Sequence, residues 1–311
     1  MTAFVRVVEL WLPTQPRTEL SLGGALGAPD GLRTVSEQTR FRPGEGIPGR
    51  AWASGHPIFV TLREFTISEH GNAAAAAGLT CAAALPIFAG EFLMATVVFW
   101  CGGGPPHVGA VELWHNDPAT SREMRHVGGY YGAADNLEFD SRYMKFPPGY
   151  GLPGRAWKTG APVIVKDLVD SQSFLRREKA LEVGINRGLG IPFAVESGAN
   201  WVLTFLSAPE TPIARRFEIW VPNRQRDGLV FHSGDCHRDA QLGAGYASET
   251  IRKDDGVLGR VWLTGVPEMT ADIASEASRV GRSARAAGLD AMLALPVLEG
   301  GKLKGLVAWY F

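Results

Sequence analysis

The chain has 311 residues, 45% hydrophobic and 20% charged, which is enough apolar material for two or three ordinary cores and excludes a largely disordered protein. Lys plus Arg total 31 against 32 Asp plus Glu, so the summed field is weak and neither nucleic acid nor an anionic membrane is an expected partner. Three cysteines are too few for a disulfide framework, Arg6 and Glu9 interrupt any signal peptide, and no apolar run approaches the roughly 20 residues of a membrane helix, so a cytoplasmic location is expected.

The first predicted element is a strand in which Val8 and Leu10 face one way and Glu9 and Trp11 the other. A second strand over 18–22 and a polar segment over 34–41 lead to the phrase Gly46-Ile-Pro-Gly-Arg-Ala-Trp52. That phrase reads as a short helical turn, with Pro48 suited to its start and Gly55 stopping it. A short strand at 57–60, a helix ahead of Gly78 and two closing strands complete the series, the last over 94–100.

The series then recurs twice. The glycines that open the phrase, Gly46, Gly151 and Gly256, are spaced by 105 residues, and each phrase is trailed by Ser/Thr-Gly-x-Pro ending at Pro57, Pro162 and Pro267. Strands 111–114 and 217–220 repeat the first, and Gly78, Gly184 and Gly288 each precede a proline by eight residues. A period of this size is a domain rather than a solenoid turn, so the expected copies are 1–103, 104–208 and 209–311, joined at the Gly- and Pro-rich stretches 101–107 and 207–212. In the middle copy the later helix is read from Phe174, Leu175, Ala180, Leu181 and Val183 set among charged residues. The closing strands are apolar on both faces, so each sheet should be covered on both sides, which gives an α+β fold on antiparallel sheets.

The middle copy, Gly149-x-Gly-Leu-Pro-Gly-Arg-Ala-Trp-x-Thr-Gly-x-Pro-Val-Ile-Val-x-Asp-Leu168 with a later Gly-Ile-x6-Pro, resembles the GAF domain, and the likeness extends over essentially all 311 residues as three tandem copies. The resemblance implies, for each copy, a five- or six-stranded antiparallel sheet flanked by helices, a small-molecule pocket on one sheet face, and a possible homodimer. The helices that transmit signals in typical sensory members have no counterpart in the sequence, so output through a separate protein effector is expected. An uncovered sheet face would then be buried by a sister copy, with residues 97–100 and 202–206 the expected contact.

The repeated Arg50, Arg155 and Arg260 are expected to brace the turn by pairing with the repeated Glu9, Glu112 and Glu218; the alternative is an anion receptor at the helix start. Trp52, Trp157 and Trp262 are expected in the core rather than against a ligand. Pocket residues are sought where the copies differ, in Tyr130, Tyr131, Tyr143, Phe146 and Phe174 of the second copy. His232, Cys236 and His237 are metal candidates without a regular spacing, and an exposed turn is the expected reading. No covalent bilin is expected, since Cys236-His237 precedes the phrase and Cys81 lacks a neighbouring His; the Asn-Lys-Phe-Asp-Glu signature of cyclic-nucleotide binders is absent. The expected function is a non-catalytic sensory protein that binds a small molecule of unknown identity. The alternatives are a structural adaptor with filled pockets and a thiol-dependent reductase of free methionine sulfoxide using Cys81 and Cys101.

Overall fold

Alternation along the first strand sends Glu9 and Trp11 inward beneath a layer of helices, and three sheets are built around the same arrangement. A computed structural model of the chain describes residues 3–103, 107–168, 174–195, 198–237, 242–246, 248–276 and 278–311, so the expected 101–107 junction lies partly outside the described residues.

The first sheet comprises β1 (Val5–Pro13), β2 (Leu20–Leu26), β3 (Arg40–Phe41), β4 (Ile58–Thr61), β5 (Cys81–Ala89) and β6 (Phe92–Cys101), with α1 (Asp30–Gln38), α2 (Gly46–Ser54), α3 (Leu62–Phe65) and α4 (Glu69–Ala76) between them. Its order is β3-β2-β1-β6-β5-β4, all antiparallel. The second sheet has β7 (Gly109–Asn116), β8 (Met124–Tyr130), β9 (Lys145–Phe146), β10 (Val163–Val165), β11 (Arg187–Ala194) and β12 (Asn200–Ser207), with α5 (Asp135–Tyr143), α6 (Gly151–Thr159) and α7 (Arg177–Glu182). The third has β13 (Arg216–Pro222), β14 (Leu229–Cys236), β15 (Thr250–Ile251), β16 (Glu268–Thr270), β17 (Met292–Glu299) and β18 (Lys302–Tyr310), with α8 (Gly256–Thr264) and α9 (Arg279–Ala286). All three share one strand order. This is the architecture implied by the GAF resemblance, six-stranded in each case: an α+β chain with three antiparallel sheets of one topology.

The first two sheets lie in one compact unit, Met1–Ile213, and the third in another, Ala214–Phe311. Within the first unit the sheet faces turned away from the helices meet, as expected for 97–100 and 202–206: Phe99 packs edge-on against Phe205 with ring centroids 5.4 Å apart. The chain start is tied to the stretch that follows β12, with the Phe4 and Val5 amides donating to the Pro212 and Ile213 carbonyls at 2.8 and 3.0 Å.

The segment after β2 departs from the sequence reading. The stretch expected as polar connection is the helix α1, which buries Leu32 and Ser36 on one side, an i, i+4 pair too sparse to announce itself among polar neighbours. The Gly-x-x-Gly phrase has a backbone reason. A Cβ at Gly49, Gly154 or Gly259 would stand 2.0 to 2.2 Å from the carbonyl oxygen of Arg42, Pro147 or Arg252, so the helix start can approach the preceding turn only without a side chain. Among the described residues no helix is long and apolar enough to cross a membrane.

Candidate functional site

Each copy buries one strand glutamate completely: Glu9, Glu112 and Glu218 have no exposed surface. A β-bulge follows each at the same place, between Leu10 and Trp11, Leu113 and Trp114, and Ile219 and Trp220. The bulge adds local twist, and in each copy the indole N–H of the following Trp donates to its own glutamate, at 3.3, 3.1 and 2.9 Å. A hydroxyl on the next helical turn completes the repeat. Ser36, Ser141 and Tyr246, again spaced by 105 residues, donate to the carboxylate at 2.6, 3.1 and 3.1 Å.

A buried carboxylate also needs a strong partner, and the copies supply a basic side chain from different places. In the first, His70 Nε2 lies 3.0 Å from Glu9, ringed by Trp11, Phe41 and Trp100 at centroid distances of 5.5, 5.4 and 5.3 Å. In the second, Arg176 forms a bidentate pair with Glu112, Nη2 to Oε2 at 3.0 Å and Nη1 to Oε1, beneath the rings of Trp114, Phe146 and Phe174 at 5.2 to 5.8 Å. In the third, Arg216 Nε donates to Glu218 at 2.7 Å, with Tyr310 and Tyr246 at 4.8 and 5.5 Å. His70 and Arg176 each stand eight residues before the second glycine anchor, where the third copy has Val280. Arg216 stands two residues before the glutamate, where the others have Val7 and Ala110. The basic partner has changed elements while the pairing has been kept.

Burial alone would raise the Glu112 carboxyl. The Arg176 charge and the hydrogen bonds outweigh it and bring the group from 4.5 down to about 2. Burial likewise opposes ionisation of Glu9, and His70 with the hydroxyl and indole donors lowers it nonetheless. Burial, then the adjacent carboxylate, pushes the Tyr131 and Tyr310 phenols upward, so both remain donors at neutral pH.

The expected pairing of these glutamates with the arginines of the phrase is not found. Arg50 and Arg260 are exposed and Arg155 is half-buried. Arg260 spends its charge on Glu268, with Nε at 3.0 and 3.1 Å from the two oxygens, so it is not an open anion receptor. Their side chains leave the short helix on its solvent side, whereas the cage is reached from the sheet and the later helix. Trp52, Trp157 and Trp262 are half-buried and pack on the margins of the three cores, Trp262 beneath Lys253 at 5.2 Å. The five aromatic candidates of the second copy do not line one pocket. Phe146 and Phe174 wall the cage, Tyr143 is 73% exposed, and Tyr130 and Tyr131 face a cleft. His232 to Cys236 is strand rather than turn: Cys236 enters the core, and His232 is exposed because it is the residue skipped by the bulge. Among the described residues no group of three or more His, Cys, Asp or Glu is arranged to hold a metal.

Sequence reading missed His70, Arg176 and Arg216, although the shared offset from Gly78 and Gly184 carries the first two.

The cleft has a volume of about 410 Å³ and lies between Tyr130, Tyr131, Gly132, Ala133 and Ala134 on one side and Gly103, His107, Val108 and Gly109 on the other, with Val183 beside them. Tyr131 links it to the cage, since its hydroxyl donates to Glu112 at 2.9 Å. In the third copy the space near Ile251, Glu276 and Met292 is only about 10 Å³, and Glu276 caps the Val257 amide at 3.2 Å.

No family model matches the sequence, and no curated protein matches it. Among solved structures the chain is similar to free methionine-R-sulfoxide reductase from Neisseria meningitidis in complex with its substrate, at 20% identity and a TM-score of 0.26, covering 33% of this chain and 53% of that one. It is also similar to NreA from Staphylococcus aureus mutated in its nitrate binding site (15% identity, TM-score 0.28, 34% of this chain and 77% of that one). A third is the GAF domain/HD domain protein from Geobacter sulfurreducens (13% identity, TM-score 0.27, 33% and 65%). The chain thus spans about half the length of the reductase. Likeness at this level carries no activity across.

Cys81 and Cys101 are cross-strand partners on β5 and β6, both fully buried. Alternation places them on the face shared with Phe99, opposite Trp100 and the Glu9 cage. Burial, with Cys81 alongside, pushes the Cys101 thiol well up.

Proposed function

We propose that the protein is a non-catalytic, small-molecule-responsive signalling protein whose responsive site is the cleft of the second copy, and that it signals to a separate protein partner. The cleft itself carries the reading. Its volume of about 410 Å³ suits a small organic ligand, Tyr130 offers an aromatic wall, and the opposite wall belongs to the segment joining the first and second copies. A ligand that prefers one arrangement of the described lining residues shifts the packing of the two copies by its differential affinity.

The test is thermal shift and native mass spectrometry of the full chain against a panel of aromatic metabolites and metal ions, in parallel with Tyr130→Ala. Stabilisation in the wild type that disappears in the variant supports the reading, and a flat panel removes it. A flat panel favours the adaptor reading, which has its own support in the three cages filled by the protein's own basic side chains. The reductase reading has the weakest support, since both thiols sit on the wrong sheet face without solvent access. Turnover of free methionine sulfoxide that is lost in Cys81→Ser would reinstate it.

A further inference from the structure

The three cages are each closed by a basic side chain: an imidazole and a guanidinium from just before or within the later helix, and a guanidinium from the strand. Two of the boxes accept a guanidinium, one from just before the later helix and one from the strand, so the box selects for that group and is indifferent to its tether. We propose that the Glu112 cage of the second copy is a binding site for a small planar cation of the guanidinium or amidinium class, which Arg176 closes as a tethered surrogate ligand.

Three observations carry this beyond a structural ion pair. Glu112 receives Tyr131, Ser141, Thr204 and Trp114 as donors besides Arg176, so the carboxylate stays oriented when the guanidinium leaves. The surrogate is imperfect: Arg176 Nε is buried with no hydrogen-bond partner, a penalty that an untethered ligand can avoid by rotating in the box. The tether is also light. Arg176 immediately precedes α7, a helix of six residues, whereas Arg216 sits on a strand bonded on both sides and cannot withdraw without breaking the sheet. Exchange is therefore expected in the second copy and not in the third. The site is distinct from the cleft, and its failure leaves the cleft reading standing.

A tethered cation competes at a high effective concentration, so removing it should unmask the site. Arg176→Ala in the full chain is titrated with methylguanidinium to about 10 mM, with methylammonium and sodium chloride as controls; a rise in melting temperature of about 2 to 4 °C with methylguanidinium alone is expected. If the variant does not fold, the wild type answers by hydrogen exchange. Methylguanidinium should speed exchange in 177–182 as Arg176 is displaced, without speeding it in 279–286, and methylammonium should do neither. Equal responses to the two cations, or none, in whichever measurement is made, overturn the proposal.

Discussion

Arg216 and Glu218 stand two residues apart on β13, on the same face, and their side chains meet at 2.7 Å inside the third copy. The second copy closes the equivalent pair across 64 residues of chain, from Arg176 to Glu112. The two solutions exchange positions: Arg216 replaces the alanine seen as Ala110, and Val280 replaces the arginine seen as Arg176. Arg216→Val alone strands a buried carboxylate and should cost about 3 to 5 kcal/mol. Adding Val280→Arg rebuilds the second-copy arrangement, so the double variant should be more stable than Arg216→Val. A urea-unfolding double-mutant cycle measures the coupling, and strict additivity would show that the two positions do not substitute for one another.

Glu112 gives the first unit an acid-sensitive element. Its carboxyl is held at about 2 against 4.5 unperturbed, so the folded state binds fewer protons than the unfolded state between those values. The stabilisation is complete above about 4.5 and is lost as the pH falls toward 2, an effect of about 3 kcal/mol. Glu112→Gln should flatten this part of the pH profile of stability. It should also weaken the protein at pH 7, because Arg176 is then buried without its counter-charge. Denaturant melts at pH 7, 4 and 3 check both signs.

What the sequence made legible was local. The helical turn of the glycine phrase and the alternation of Val8, Glu9, Leu10 and Trp11 are each decided within a few residues, and the structure has these elements as read. The cage was not legible in this way, because its basic partner arrives from 61 residues off in the first copy and from two in the third. A pattern search for a repeated arginine found Arg50, Arg155 and Arg260, which repeat because the turn repeats, and passed over a cation that moves between elements. The helix α1 was missed for a related reason: Leu32 and Ser36 do the packing, and Ser36 is inward because it bonds Glu9, a contact invisible without the fold.

Glycine substitutions should separate steric need from entropy. Gly49→Ala sets a Cβ 2.0 Å from the Arg42 carbonyl oxygen and should destabilise the first unit, since neither backbone can retreat. Gly31→Ala, inside α1 with nothing within 4 Å of the new atom, should instead stabilise it by about 0.5 to 1 kcal/mol. Thermal melts of the two variants should move in opposite directions, and a shared sign would contradict the packing described for one of them.

The junction of the first two copies has its own titration. Trp201 of the second copy stacks on His56 of the first at 4.1 Å and 11°, and His115 lies 4.2 Å from the same indole. Burial, then the Arg125 charge, lowers the His115 pKa, with His56 adding to the effect and Asp117 opposing it. A base depressed on folding binds fewer protons in the native state. Its contribution is therefore full above the ordinary value near 6.5 and declines as the pH falls below it toward the folded pKa. Between pH 7 and 5 the first unit should lose stability, with a change in Trp201 fluorescence as the stack loosens. His115→Phe keeps the stacking surface and removes the proton, so it should abolish this pH dependence while leaving the stability at pH 7 nearly unchanged. An unaltered profile in that variant would place the dependence elsewhere.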